Sequence, residues 1–188
     1  SLNLGAGDTK IALTAFDTSA YLMLNFTNYM QDINTQVGAL TPFHLPGTNY
    51  NAAFLHPVAG AIPLLKNSPS DVERIVIFLT DGDPTEPFQI ATVIREAVAN
   101  HIKVYPVTLD LPMVPYLQEL ADKTGGLAFA NVRTRAEISE IYGRIARQSQ
   151  NATPCTITWW VDPCDTSKIH RATVSYPANN ASASFTYD

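Results

Sequence analysis

The chain has 188 residues, enough for one domain with a substantial core and a little more. Its formal net charge of −5 gives no electrostatic footprint for nucleic acid or an anionic membrane surface. No apolar run approaches the ~20 residues of a membrane span, and no signal sequence begins at Ser1, so any export signal is expected outside these residues.

In chain order, Lys10–Phe16 and Ala20–Phe26 read as strands joined by the turn Asp17-Thr18-Ser19, which is short enough to make them an antiparallel hairpin. Asn28 is placed to cap a helix reaching about Val37, with Gly38 near its end. After a proline-bearing loop to Gly47, Thr48 or Asn49 caps a second helix carrying Ala52, Ala53, Phe54, Val58 and Ala61. Pro57 inside that pattern is expected to kink it or end it early.

Ile75–Leu79 is a continuous apolar run, too short for a helix and suited to a strand buried on both faces. Strands of that kind belong to parallel sheets covered by helices, whose carboxyl ends are where ligands bind. Asp81, in Thr80-Asp81-Gly82-Asp83-Pro84, therefore falls at a functional rim. A helix from about Phe88 to Asn100 follows, then a strand over Lys103–Leu109 and a short helix over Val114–Lys123 stopped by Gly125-Gly126. A strand over Leu127–Ala130 and a helix from Thr134 to about Gln148 complete the run. Strand and helix alternate throughout, as in an α/β fold with a mostly parallel central sheet flanked by helices.

Near residue 150 the pattern changes, dividing the chain into 1–150 and 151–188. Thr156–Val161, Ala172–Tyr176 and Ala183–Tyr187 alternate like strands with no helix between them, the signature of a small all-β extension or partial β-sandwich. Trp159-Trp160 is read as one ring in a small core and one at a domain contact. Cys155 and Cys164, the only cysteines, are expected to form a disulfide closing a hairpin in an oxidising compartment. The alternatives are two free thiols or half of a metal site, and two residues alone cannot close a tetrahedral zinc site. Asn25, Asn151 and Asn180 each begin an N-glycosylation sequon.

The order of hairpin, helix, Gly47-Thr48-Asn49 helix, Thr80-Asp81-Gly82 strand end, Lys103-Val104-Tyr105-Pro106-Val107 strand and Leu120-Ala121-Asp122-Lys123-Thr124-Gly125-Gly126 resembles the von Willebrand factor A domain over about residues 8–149. The resemblance implies a Rossmann-like domain that binds a divalent cation at its rim, the cation being completed by an acidic group on a protein partner. Thr48 and Asp81 match two of the family's five cation-binding side chains. The other three belong to an Asp-x-Ser-x-Ser loop after a first, central strand, and this chain shows neither that strand nor its helix. Asp17-Thr18-Ser19-Ala20-Tyr21 matches the loop only superficially, since it follows an edge-type strand and lies too close to Thr48. A missing central strand would leave unpaired backbone groups costing a few kcal/mol each. The expectation is an internal piece of a larger protein, with an N-terminal segment or second chain supplying that strand.

Each site residue also has a plainer reading: Thr48 as a helix N-cap and Asp81 as an Asp-Gly turn former. An oxygen-only set suits Mg²⁺, or Mn²⁺ or Ca²⁺. Asp81-Gly82-Asp83-Pro84-Thr85 also resembles the first motif of haloacid-dehalogenase-type phosphatases, with Asp81 as nucleophile and Asp83 as acid/base. That reading lacks its downstream acidic pair, because Asp110 stands alone before Leu111-Pro112. His44, His56, His101 and His170 show no ligand spacing. The functional expectation is an adhesion or protein-binding domain rather than an enzyme, placed outside the cell, at its surface or in the periplasm. A metal-independent scaffold domain is the alternative.

Overall fold

A computed structural model describes residues 9–40, 47–69, 71–149, 170–176 and 181–187. The chain divides into two compact units, Ser1–Thr153 and Pro154–Asp188. Cys155, Cys164, Asn151, Asn180, Trp159, Trp160 and the strand expected at 156–161 lie outside the described residues.

The first unit opens with β1 (Ile11–Phe16) and β2 (Ala20–Thr27), an antiparallel pair closed through Asp17–Ser19. Two shifts of register interrupt the ladder, between Ile11 and Leu13 and between Leu13 and Thr14. Helix α1 (Met30–Gly38) has Tyr29 rather than Asn28 at its N-cap, with no side-chain cap. The Thr27 hydroxyl instead accepts the Tyr29 N–H at 3.1 Å and turns the chain one residue later. The second helix is in fact two, α2 (Tyr50–Leu55) and α3 (Ala61–Lys66). Pro57 starts the break between them, and Gly60 lets the chain fold back within 2.7 Å of the His56 carbonyl oxygen, measured from where a Cβ would sit.

There follow β3 (Arg74–Thr80), α4 (Ile90–Ala99), β4 (Ile102–Leu109), α5 (Pro115–Thr124), β5 (Phe129–Val132) and α6 (Arg135–Ser149). The three strands form a parallel sheet in the order β3-β4-β5, with β3 and β4 in unbroken register from Arg74 opposite Ile102 to Thr80 opposite Thr108. β5 starts two residues later than its composition suggests. Gly125 (φ +77°) ends α5 in the left-handed conformation, and Gly126 then lies flat on the backbone of Val104, so the chain reaches the sheet only at Phe129.

One face of the sheet packs Val76, Phe78 and Val104 against Tyr50, Phe54, Ile62, Val93, Leu117 and Leu120. The other packs Tyr105, Val107, Phe129 and Val132 against Ile141 and Ile145 of α6, with Ile75, Ile77 and Leu79 of β3 only half-buried beside them. Burying each such side chain is worth about 1.5–3 kcal/mol. The Tyr105 hydroxyl is buried there without a hydrogen-bond partner among the described residues, and burial, helped by the Glu73 charge, pushes its pKa up to about 12.

β1–β2 and β3–β4–β5 are separate sheets, so among the described residues the second edge of β1 and that of β3 carry no strand. In the second unit β6 (His170–Tyr176) and β7 (Ala181–Tyr187) pair antiparallel, from His170 opposite Tyr187 to Tyr176 opposite Ala181.

Helix α6 begins with a capping box. The Thr134 hydroxyl accepts the Glu137 N–H at 3.2 Å, while the Glu137 carboxylate accepts the N–H groups of Arg133 and Thr134, each at 2.8 Å. Those backbone bonds hold the Glu137 carboxyl below its ordinary range. A depressed folded pKa gives stability that is present above the unfolded value and lost as pH falls through the folded one. Glu137→Gln is therefore expected to lower the melting temperature at neutral pH and to shrink the loss of stability on acidification. Parallel acid limbs in thermal melts of the two proteins would refute this.

Candidate functional site

Three loops meet at the carboxyl end of β3. The Gly47–Asn49 segment before α2 is hydrogen-bonded directly to both of the others, the Asp17–Ser19 turn and residues 81–89 after β3. Asn49 N–H donates to the Asp17 carbonyl at 2.7 Å, and its Nδ2 donates to the Thr18 carbonyl at 3.2 Å and the Glu86 carboxylate at 3.3 Å. The Asn49 Oδ1 meanwhile accepts the Ala52 N–H at 2.9 Å, so Asn49, and not Thr48, caps α2. Thr48 is thereby left free of the capping role. Its backbone is tied across the loops instead: Thr85 N–H donates to the Thr48 carbonyl at 3.1 Å, and Thr48 N–H donates to the Thr85 hydroxyl at 3.2 Å.

The Thr48 hydroxyl stands over Gly82, 3.5 Å from where a Cβ there would sit. A Cβ at 82 would therefore meet that hydroxyl in ordinary van der Waals contact. Asp81 precedes it, exposed, at the end of the strand. The turn is held from beneath, where the Gly82 carbonyl accepts the Tyr50 phenol at 2.6 Å and the Thr80 hydroxyl at 2.9 Å. Burial is the main reason the Tyr50 phenol is shifted upward, with the charges of Asp83 and Asp81 adding to it, so it remains a donor. Asn51 completes the frame, donating to the Pro87 carbonyl at 3.0 Å and accepting the Gln89 N–H at 2.8 Å.

Asp83 is exposed and accepts the Tyr116 hydroxyl at 3.5 Å. Burial, with Tyr50 and Asp83 close by, pushes the Tyr116 pKa up to about 12. Asp17 is 4 % exposed, and its Oδ1 is taken up within its own hairpin, by Ser19 N–H at 2.8 Å and the Tyr21 hydroxyl at 3.2 Å. Asp110 pairs with Arg133 at 2.7 Å. Of the lysines a phosphatase would need at this rim, Lys103 pairs with Glu73 at 2.5 Å at the opposite end of the strands, and Lys66 pairs with Glu96 on α4.

The donor set of a hydroxyl and a carboxylate has the hardness that Mg²⁺ or Ca²⁺ requires. It is short in number: among the described residues no three His, Cys, Asp or Glu side chains group to hold a metal. Tyr50 is a supporting residue that periodicity and motif reading pass over, whereas Asn49, Thr80 and Thr85 stand in the motifs and only their bonds across the loops are new.

Among solved structures, a von Willebrand factor type A protein from Catenulispora acidiphila superposes with a TM-score of 0.64 at 18% identity, covering 79% of this chain and 35% of that one. The conserved hypothetical protein BatB from Bacteroides thetaiotaomicron gives 0.53 at 15% identity, covering 76% and 80%. Proximal thread matrix protein 1 from the mussel byssus gives 0.55 at 17%, covering 77% of this chain and 37% of that one. At such identities these likenesses concern the fold. No curated protein matches the chain. The model of the von Willebrand factor type A domain, however, matches residues 1–144, most of the chain and all of the region that carries the rim, and the protein belongs to that family.

Proposed function

We propose that this is an extracellular protein-binding domain of the adhesion type whose rim, built on Thr48 and Asp81, uses a divalent cation to engage an acidic group on a partner. The observation that carries this reading is the Thr48 hydroxyl standing over the Asp81-Gly82 turn on a frame of loops bonded to one another. Thr48 supplies a neutral oxygen and Asp81 a charged one, so a bound Mg²⁺ would keep the electrophilicity that draws in a carboxylate. The remaining ligands, in this proposal, arrive with a strand that joins the free edges of β1 and β3, donated by a segment N-terminal to the domain or by a separate chain.

Isothermal titration of Mn²⁺ into the full-length protein tests the reading. Asp81→Ala is expected to weaken cation binding by at least about 100-fold, more than the 10–100-fold typical of losing an outer-shell partner. Equal Mn²⁺ binding by the variant and the parent would remove the rim from the reading. A metal-independent scaffold would then be the better description. We further propose that the domain is not an enzyme, and turnover of p-nitrophenyl phosphate with Mg²⁺ that is lost on Asp81→Asn would overturn that.

A further inference from the structure

We propose that Asn25 carries an N-linked glycan that shields the outer edge of the β1–β2 hairpin. Asn25-Phe26-Thr27 is a sequon lying on β2, and Asn25 is exposed. Its Oδ1 accepts the Phe26 N–H at 2.8 Å, which fixes the carboxamide and leaves Nδ2 without a hydrogen bond among the described residues. Nδ2 is the atom that bears the sugar. In the transfer it attacks the anomeric carbon of a lipid-diphosphate-linked oligosaccharide, forming the N–C bond as the C–O bond to the diphosphate breaks and a proton leaves the nitrogen. Transfer precedes folding, so the folded strand must then hold the sugar outward, as exposed Asn25 does. Asn151 and Asn180 lie outside the described residues.

The edge gives the glycan a role. β1 occupies one side of β2, and the other side pairs with nothing among the described residues. Leu22 on that strand is 37% exposed, and Tyr29 and Met30 just beyond it are 70% and 45% exposed. A bare strand edge with apolar side chains nearby is a template for pairing with another chain. The two shifts of register in the hairpin already disfavour such pairing, and a branched, hydrated sugar at Asn25 blocks it outright.

The proposal rests on the extracellular placement proposed above, and the experiment separates the two. Protein purified from its native source, with its compartment recorded, is digested and mapped before and after peptide N-glycosidase F. The expected result is a glycopeptide spanning Asn25 that converts to the aspartate form on treatment. A secreted protein with unmodified Asn25 overturns the glycan and leaves the placement standing. A cytosolic protein with unmodified Asn25 overturns both. Enzymatically stripped protein is expected to self-associate at lower concentration than intact protein, and unchanged sedimentation would overturn the shielding role.

Discussion

Replacing Gly126 with alanine is expected to destabilise the first unit by about 3 kcal/mol or more, the upper end of what overpacking costs. A Cβ at this position would sit 2.7 Å from the Val104 carbonyl carbon and overlap its oxygen, and Val104 lies in the central strand of the parallel sheet, where no side chain can swing aside. The neighbouring Gly125 provides the control. It adopts φ +77° with open space around its missing Cβ, so Gly125→Ala meets only the left-handed strain of about 1 kcal/mol. Both glycines donate their N–H to the Ala121 carbonyl, so the two variants keep the same helix-ending bonds. Urea denaturation of the pair should give clearly separated midpoints. Equal midpoints would mean that α5 and β4 are less closely apposed than the structure shows.

Phe54→Ala is the second large effect, about 3–5 kcal/mol. Phe54 is 0 % exposed, tilted against Phe78 with ring centroids 4.8 Å apart and against Phe88 at 6.0 Å. Phe78 in turn stacks on Phe16 of β1 at 5.4 Å and meets Tyr50 edge-on at 4.9 Å. This ring cluster links the hairpin, α2 and the parallel sheet, so a cavity there weakens their mutual attachment as well as the core. A fall in melting temperature of roughly 10 °C follows from the size of the unit. Val58→Ala, at a position 66% exposed in the turn after α2, should shift stability by no more than about 0.5 kcal/mol. A Phe54 variant melting with the Val58 variant would contradict the packing described.

The parallel strands and the Thr80-Asp81-Gly82 turn were legible because their signals are local: an unbroken apolar run, then a carboxylate and a glycine. Pro57 announced the end of α2 for the same reason. Gly125-Gly126 could be read as a stop, but the two residues act differently, and only the approach of Val104 shows it. The cap of α1 was misplaced on Asn28 because composition does not reveal that the Thr27 hydroxyl claims the Tyr29 N–H. Thr48 and Asn49 both suit a cap, and what assigns the role to Asn49 is its Oδ1 accepting the Ala52 N–H while its Nδ2 reaches Thr18 and Glu86. Tyr50 reads as a core aromatic, and its bond to the Gly82 carbonyl depends on the tertiary meeting of α2 and β3. Contacts between residues distant in sequence leave no local pattern, which is why the bonds that support the rim are not legible even where their residues are.

Because Asn49, Thr48 and Thr85 lock the three loops together, the rim would need no rearrangement for the binding proposed above. A partner loses little additional freedom in ordering those loops. Its association rate should then follow the frequency of well-oriented encounters, with no lag for rearrangement, and substitutions on the rim should act mainly on residence time.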